Sequence, residues 1–176
     1  MQDFLERIQL IVHKQIKLNI DKSEFIRKFQ QNVDQGNIGA FSGAFEAFSS
    51  SQNRYKGNIT QNEFEMRRKR EFFDRSSYLA RVTGSFRQQN DQLVIDAKIT
   101  GFNNFLIIFY VFVTLFYIFF IYMFTSGFND SGIPAIFIFI HALFMYGIPY
   151  FMIRKRVKNT AGDLEKELFF MTKKES

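Results

Sequence analysis

The sequence predicts an α+β membrane protein: a small antiparallel β-sheet domain with two helices in its N-terminal half, a two-helix transmembrane hairpin and a C-terminal amphipathic helix. Three observations predict it. Residues 105–124 and 133–153 hold no Asp, Glu, Lys or Arg, and each is long enough to cross a bilayer as a helix, which takes about 20 residues. Before residue 101, five stretches alternate apolar and polar side chains with the period of a strand. After residue 153, apolar side chains return at helical spacing.

The chain of 176 residues leaves room for one small domain beside such an anchor. Cysteine is absent, which excludes a disulfide framework, a thiolate nucleophile and a Cys-ligated metal. The first nine residues carry Asp3, Glu6 and Arg7 and lack the pattern of a secretory signal, so insertion is expected to rely on the internal segments. The net charge of +6 divides into +4 before the hairpin, −1 in its loop and +3 after it. So mild a balance suits a surface beside anionic headgroups and does not suit a nucleic-acid partner.

Taken in order, residues 8–20 place Ile8, Leu10, Val12, Ile16, Leu18 and Ile20 on one face and His13 on the polar one, as a half-buried strand does. Lys14 and Ile11 are the exceptions. Asp21 and Glu24 then form a variant capping box for a helix carrying Phe25, Ile26, Phe29 and Val33 up to Gly36. A second short helix over 38–48 groups Phe41, Phe45 and Phe48. Residues 55–59 and 64–66 read as a strand pair around Gln61 and Asn62, and 79–86 and 93–99 as another around 88–91. Gly57 and Gly84 occupy equivalent places in the two pairs, where a bulge or a close backbone approach is expected.

The hairpin comprises helices at 105–124 and 133–153 joined by a loop at 125–132. The loop carries Asp130 and no basic residue, whereas Arg154, Lys155, Arg156 and Lys158 follow the second helix. Positive charge stays inside, so both termini are expected in the cytoplasm, the loop outside, and the four basic side chains on headgroups of the cell (inner) membrane. His141 is the ionisable residue of the apolar interior, with Tyr110, Thr114, Tyr117 and Tyr122 as expected hydrogen-bond partners, either within the hairpin or across a dimer. Pro149 is expected to bend the second helix near its exit. Beyond it, residues 160–171 read as a separate amphipathic helix capped by Thr160 and Asp163, either covering the sheet or lying on the membrane.

No phosphate-binding glycine loop, zinc-protease motif or nucleophile elbow occurs, and two distant histidines make a zinc site unexpected. The run Arg67-Arg68-Lys69-Arg70 reads as a solvated strand end near anionic headgroups, its members alternating between faces.

The order of parts, with Tyr55-x-Gly57-x-Ile59, Phe64-x-Met66-x-Arg68 and Val82-x-Gly84-x-Phe86 ahead of the hairpin and terminal helix, resembles uncharacterised small bacterial two-transmembrane-helix proteins with a cytoplasmic β-rich domain. That resemblance implies no catalytic residue and no cofactor. The order is also similar to helix-grip domains that hold apolar ligands, from which it departs in having fewer expected strands and a hairpin before the last helix. Three functions are therefore weighed. One is a non-enzymatic membrane protein whose cytoplasmic domain is an interaction or sensory module, as a homodimer or with a membrane-protein partner. Another is a lipid or apolar-ligand binding domain fed past Phe41, Phe45 and Phe48. The third is a subunit of a transport assembly using His141 and Tyr117.

Overall fold

The computed structural model describes residues 2–39, 51–69, 80–101, 104–127 and 133–173, and only these are discussed. The chain divides into two units, one of Met1–Phe102 with Ile153–Ser176 and the other of Asn103–Met152.

The first unit opens with α1 (Gln2–Arg7), which the alternation pattern does not anticipate. Its end explains why the first strand begins later than residue 8. Gln9 takes a left-handed conformation (φ 59°), its N–H donates to Glu6 O at 2.9 Å, and Leu10 N–H donates to Leu5 O at 2.9 Å. This pair of bonds is a Schellman stop, sealed by the buried side chains of Leu5 and Leu10. β1 (Ile11–Leu18) follows, then α2 (Lys22–Asn32). Asp21 stands at the N-cap, but its side chain makes no capping bond, and Glu24 pairs with Lys28 at 3.2 Å instead of closing a box. α2 stops at Asn32, short of Gly36, because Val33 turns extended into β2 (Val33–Gln35).

β3 (Tyr55–Ile59), β4 (Glu63–Arg68), β5 (Arg81–Gln89) and β6 (Gln92–Thr100) complete the sheet. Its order is β1-β6-β5-β4-β3-β2, six strands where the alternation pattern gives five. The extra strand, β2, is three residues long, pairs parallel with β3 and is too short to show a period. The β5–β6 register is unbroken from Arg81↔Thr100 to Gln89↔Gln92, so Gly84 marks no bulge. It marks a close approach, since a Cβ there would meet the Phe64 ring at 2.5 Å. The helix at 38–48 lies largely outside the described residues.

One sheet face is the core. Phe25 and Phe29 of α2 pack against Phe64 and Phe86 with ring centroids 5.1–6.2 Å apart, beside the fully buried Leu93, Ile95 and Ile99. Completing the cover is α4 (Ile133–Lys173), a single helix of 41 residues. The separate helix expected at 160–171 does not exist. Thr160 lies inside α4, and the stretch around Arg154 to Asn159 is helical throughout. After residue 153 the buried side chains of α4 are Ile153, Val157, Leu164, Leu168 and Met171, one stripe laid on the sheet.

Its flanks meet opposite sides of the sheet. Lys14, the inward exception of β1, donates to Ala161 O at 3.1 Å and pairs with Glu165 at 3.1 Å. Lys28 of α2 reaches Thr172 O near the C-terminal end of α4, where a cation suits the helix dipole. At Gly101 a Cβ would collide with Ile153 and come 2.7 Å from Val157, so the last strand passes under α4 only because side-chain atoms are missing there.

The second unit holds α3 (Asn104–Gly127) and the first part of α4, and both are long and apolar enough to cross a membrane. Pro149 sits within α4, leaving the carbonyl of Met145 without its usual intrahelical donor.

Gly101→Ala should therefore destabilise the sheet unit by about 1–3 kcal/mol through overpacking. Gly162→Ala, inside α4 with nothing within 4 Å of the new Cβ, should stabilise by about 1 kcal/mol. Thermal unfolding of the detergent-solubilised chain reads both; equal effects would contradict the close packing.

Candidate functional site

In α4 the apolar stripe has a gap. Between Val157 and Leu164 the sheet-facing positions are filled by the small residues Thr160 and Ala161. Beneath them lies a partly open pocket of about 120 Å³ between the sheet and one flank of the helix. From the sheet come Tyr55, Met66, Arg67, Arg68, Ala80 and Val82. From the helix come Arg156, Asn159, Thr160, Asp163, Leu164 and Glu167. Helical residues spaced three and four apart share a face, which is why the polar members of the second set line one wall.

The walls are tied by a hydrogen bond between the Tyr55 hydroxyl and the Glu167 carboxylate. Burial, and then the negative charge of Glu167, push the Tyr55 phenol above its usual range. It stays protonated and donating throughout the neutral range. Tyr55, Arg68, Arg156, Asn159, Thr160, Asp163 and Glu167 give the pocket a mixed lining beside the apolar Met66, Ala80, Val82 and Leu164. At about 30 Å³ per water its volume equals roughly four waters, well below the ~300 Å³ of sites for larger organic ligands.

The basic run on β4 is not a solvated strand end. Arg67 and Lys69 are buried, and Lys69 forms an ion pair with Asp34 of β2, while Arg68 belongs to the cavity wall; Arg70 lies outside the described residues. The register explains the reach, because Asp34 stands beside Lys56 and Lys56 beside Arg67, putting one charged row across the outer face. Burial works to raise the Asp34 carboxyl. Hydrogen bonds from Lys69, Ser51 (2.7 Å) and Asn53 (2.8 Å) outweigh it and hold the group below its usual value. Glu65 behaves likewise, with burial opposed by Arg81 and by Asn58 at 3.1 Å.

In the second unit, Tyr117 Oη lies 2.7 Å from His141 Nδ1. Tyr110 donates to the Tyr146 carbonyl at 3.2 Å, Thr114 Oγ1 lies 2.6 Å from Tyr146 Oη, and the Tyr110 and Tyr146 rings stack 5.5 Å apart. Three of the four expected partners on α3 thus meet α4, while Tyr122 is exposed. Tyr146, which the sequence pattern did not single out, takes part in two of the three bonds, accepting at its carbonyl from Tyr110 and meeting Thr114 through its hydroxyl.

The other expected site residues scatter. Phe41, Phe45 and Phe48 lie outside the described residues. Arg154 donates to Gln9 at 2.8 Å, Lys155 and Lys158 are exposed, and Arg156 turns to the cavity, so the four form no single patch. Comparison with family models, with curated proteins and with solved structures found no match.

Asp34, whose carboxyl is depressed in the folded chain, contributes stability that is complete above its unfolded pKa, about 4, and lost as pH falls through the lower folded value. Asp34→Asn should cost about 1–3 kcal/mol at neutral pH by leaving the buried Lys69 ammonium without a carboxylate. The gap to the parent should narrow below about pH 4. Denaturant titrations across pH measure it; a gap that stays constant to pH 2 would contradict the pairing.

Proposed function

We propose that the chain is a non-enzymatic integral membrane protein, with the α3–α4 hairpin inserted in the cell (inner) membrane and the sheet unit serving in the cytoplasm as an interaction or sensory module. The carrying observation is the outward-facing surface of the helix pair. Phe112 and Phe119 on α3, and Phe137 and Phe139 on α4, are all more than half exposed, with Ile and Leu side chains between them. A helix pair made for water buries one stripe of each helix and presents polar residues elsewhere. Hydrocarbon is the solvent that matches apolar side chains on every side, and helical backbone satisfies its own polar groups there. The Tyr117–His141 and Tyr146 bonds then act as interhelical polar contacts of the kind that hold membrane helices together.

Orientation follows the charges. The loop segment 125–132 has no basic residue, and four of the five residues 154–158 are Arg or Lys, which favours cytoplasmic termini. The reading as a sensor draws on α4, which supplies apolar residues to both units without a helix break. A lipid-binding role draws less support, because the cavity under α4 is small and lined by charge. A transport role draws less because His141 meets a tyrosine hydroxyl, and a relay is built from chains of titratable groups.

Reporter fusions after residue 128 and at both ends test the topology. Periplasmic activity at the loop and cytoplasmic activity at both ends is expected; a cytoplasmic loop, or a chain recovered in the soluble fraction, would overturn it.

A further inference from the structure

We propose that the hairpin pairs with a second copy of this chain through a closed ring of hydrogen bonds between the two Tyr117–His141 pairs. The inference rests on the membrane reading above. What carries it is a proton left over at the exposed surface of the hairpin.

The neighbouring cluster places all of its hydroxyl protons. Thr114 donates to the Tyr110 carbonyl at 2.7 Å, so Tyr146 is the donor in its 2.6 Å bond to Thr114, and Tyr110 donates to the Tyr146 carbonyl. The Tyr117–His141 pair has no such closure. Its neutral form holds two polar protons, one phenolic and one on the imidazole, and makes one hydrogen bond among the described residues. If Tyr117 donates to Nδ1, the Nε2–H is spare; in the other tautomer the spare proton is the phenolic one. His141 is exposed on α4, eight residues in from Ile133. That is about 12 Å along the helix, near the middle of a hydrocarbon layer about 30 Å thick, and an imidazole is too short to reach the interface. Hydrocarbon offers the proton no acceptor.

A second copy does. With Tyr117 donating to Nδ1, each pair has one spare donor, Nε2–H, and one spare acceptor, the Tyr117 oxygen. Two such pairs are self-complementary. A two-fold axis along the membrane normal holds them at one depth, and each histidine then donates to the tyrosine of the other copy. Four protons meet four acceptor sites, with the same tautomer in both copies. Both copies also keep one topology, as the charges around the hairpin favour. Phe137 and Phe144, within a turn of His141 on the same face and exposed, supply apolar packing around the ring.

The test uses the full chain, labelled at its C-terminus, in phosphatidylethanolamine–phosphatidylglycerol vesicles. Single-molecule photobleaching counts copies as protein density falls. Dimers are expected, and His141→Leu or Tyr117→Phe should weaken association about tenfold through the loss of interhelical bonds. A second measurement leaves the ring intact and stays decisive if those variants loosen the hairpin. The chain has no cysteine, so single introduced ones report proximity. Phe144→Cys should form a disulfide between copies, and Phe139→Cys, on the opposite side of the helix, should not. Equal cross-linking at both positions, or association unchanged by His141→Leu and Tyr117→Phe, would overturn the ring. Monomers at every density in an inserted chain would overturn self-association and assign the face to another protein's helix. A chain that stays out of the vesicles would overturn the membrane reading, and this inference with it.

Discussion

The structure depends on one constraint: a single helix, α4, must satisfy two different environments along its length. Up to Met152 its apolar side chains go most of the way round, and from Ile153 onward they contract to one stripe that closes the core of the sheet. Nothing interrupts the backbone at the change. The sheet is adapted to receive this helix. Gly101 removes the side chain that would strike Ile153 and Val157, Lys14 and Tyr55 meet its two flanks, and Lys28 reaches Thr172 near its end. Losing any one loosens a layer that the other contacts depend on.

Most of the sheet was legible from residue order because a half-buried strand writes its geometry with period two. Val82, Phe86, Leu93, Ile95, Ala97 and Ile99 face the core as their alternation requires. Two elements were not legible. β2 is set by pairing with β3, and three residues show no period. α1 spans six residues, and the isoleucines and leucines after it mimic a strand that starts three residues too early. Left-handed Gln9, a residue without the glycine signature of a helix stop, concealed the boundary.

The misread boundary in α4 has the same origin. Thr and Asp are strong N-caps, but only where the preceding chain leaves the helix, and a run of Arg and Lys is itself helix-favouring. Read as a loop, Arg154 to Lys158 becomes a headgroup anchor. Read as helix, the same residues fan around the axis and Arg156 enters the cavity wall. The candidate site was hidden for a related reason. Tyr55, Arg68 and Glu167 come from three separate elements, and only the pairing of β3 with β4 under a continuous α4 brings them together. His141 and Tyr117, by contrast, could be paired on paper, since polar groups in apolar helices have few places to go.

The continuity of α4 is the claim on which the rest stands, and hydrogen exchange tests it directly. Backbone amides at 154–160 are measured in the full chain in detergent, beside those of 161–168 and of β6. Protection at 154–160 matching that of the following turns is the predicted result, because every amide there donates within one helix packed on the sheet. Fast exchange confined to 154–160, with slow exchange resuming from Ala161, would show two helices and a linker and would contradict the account.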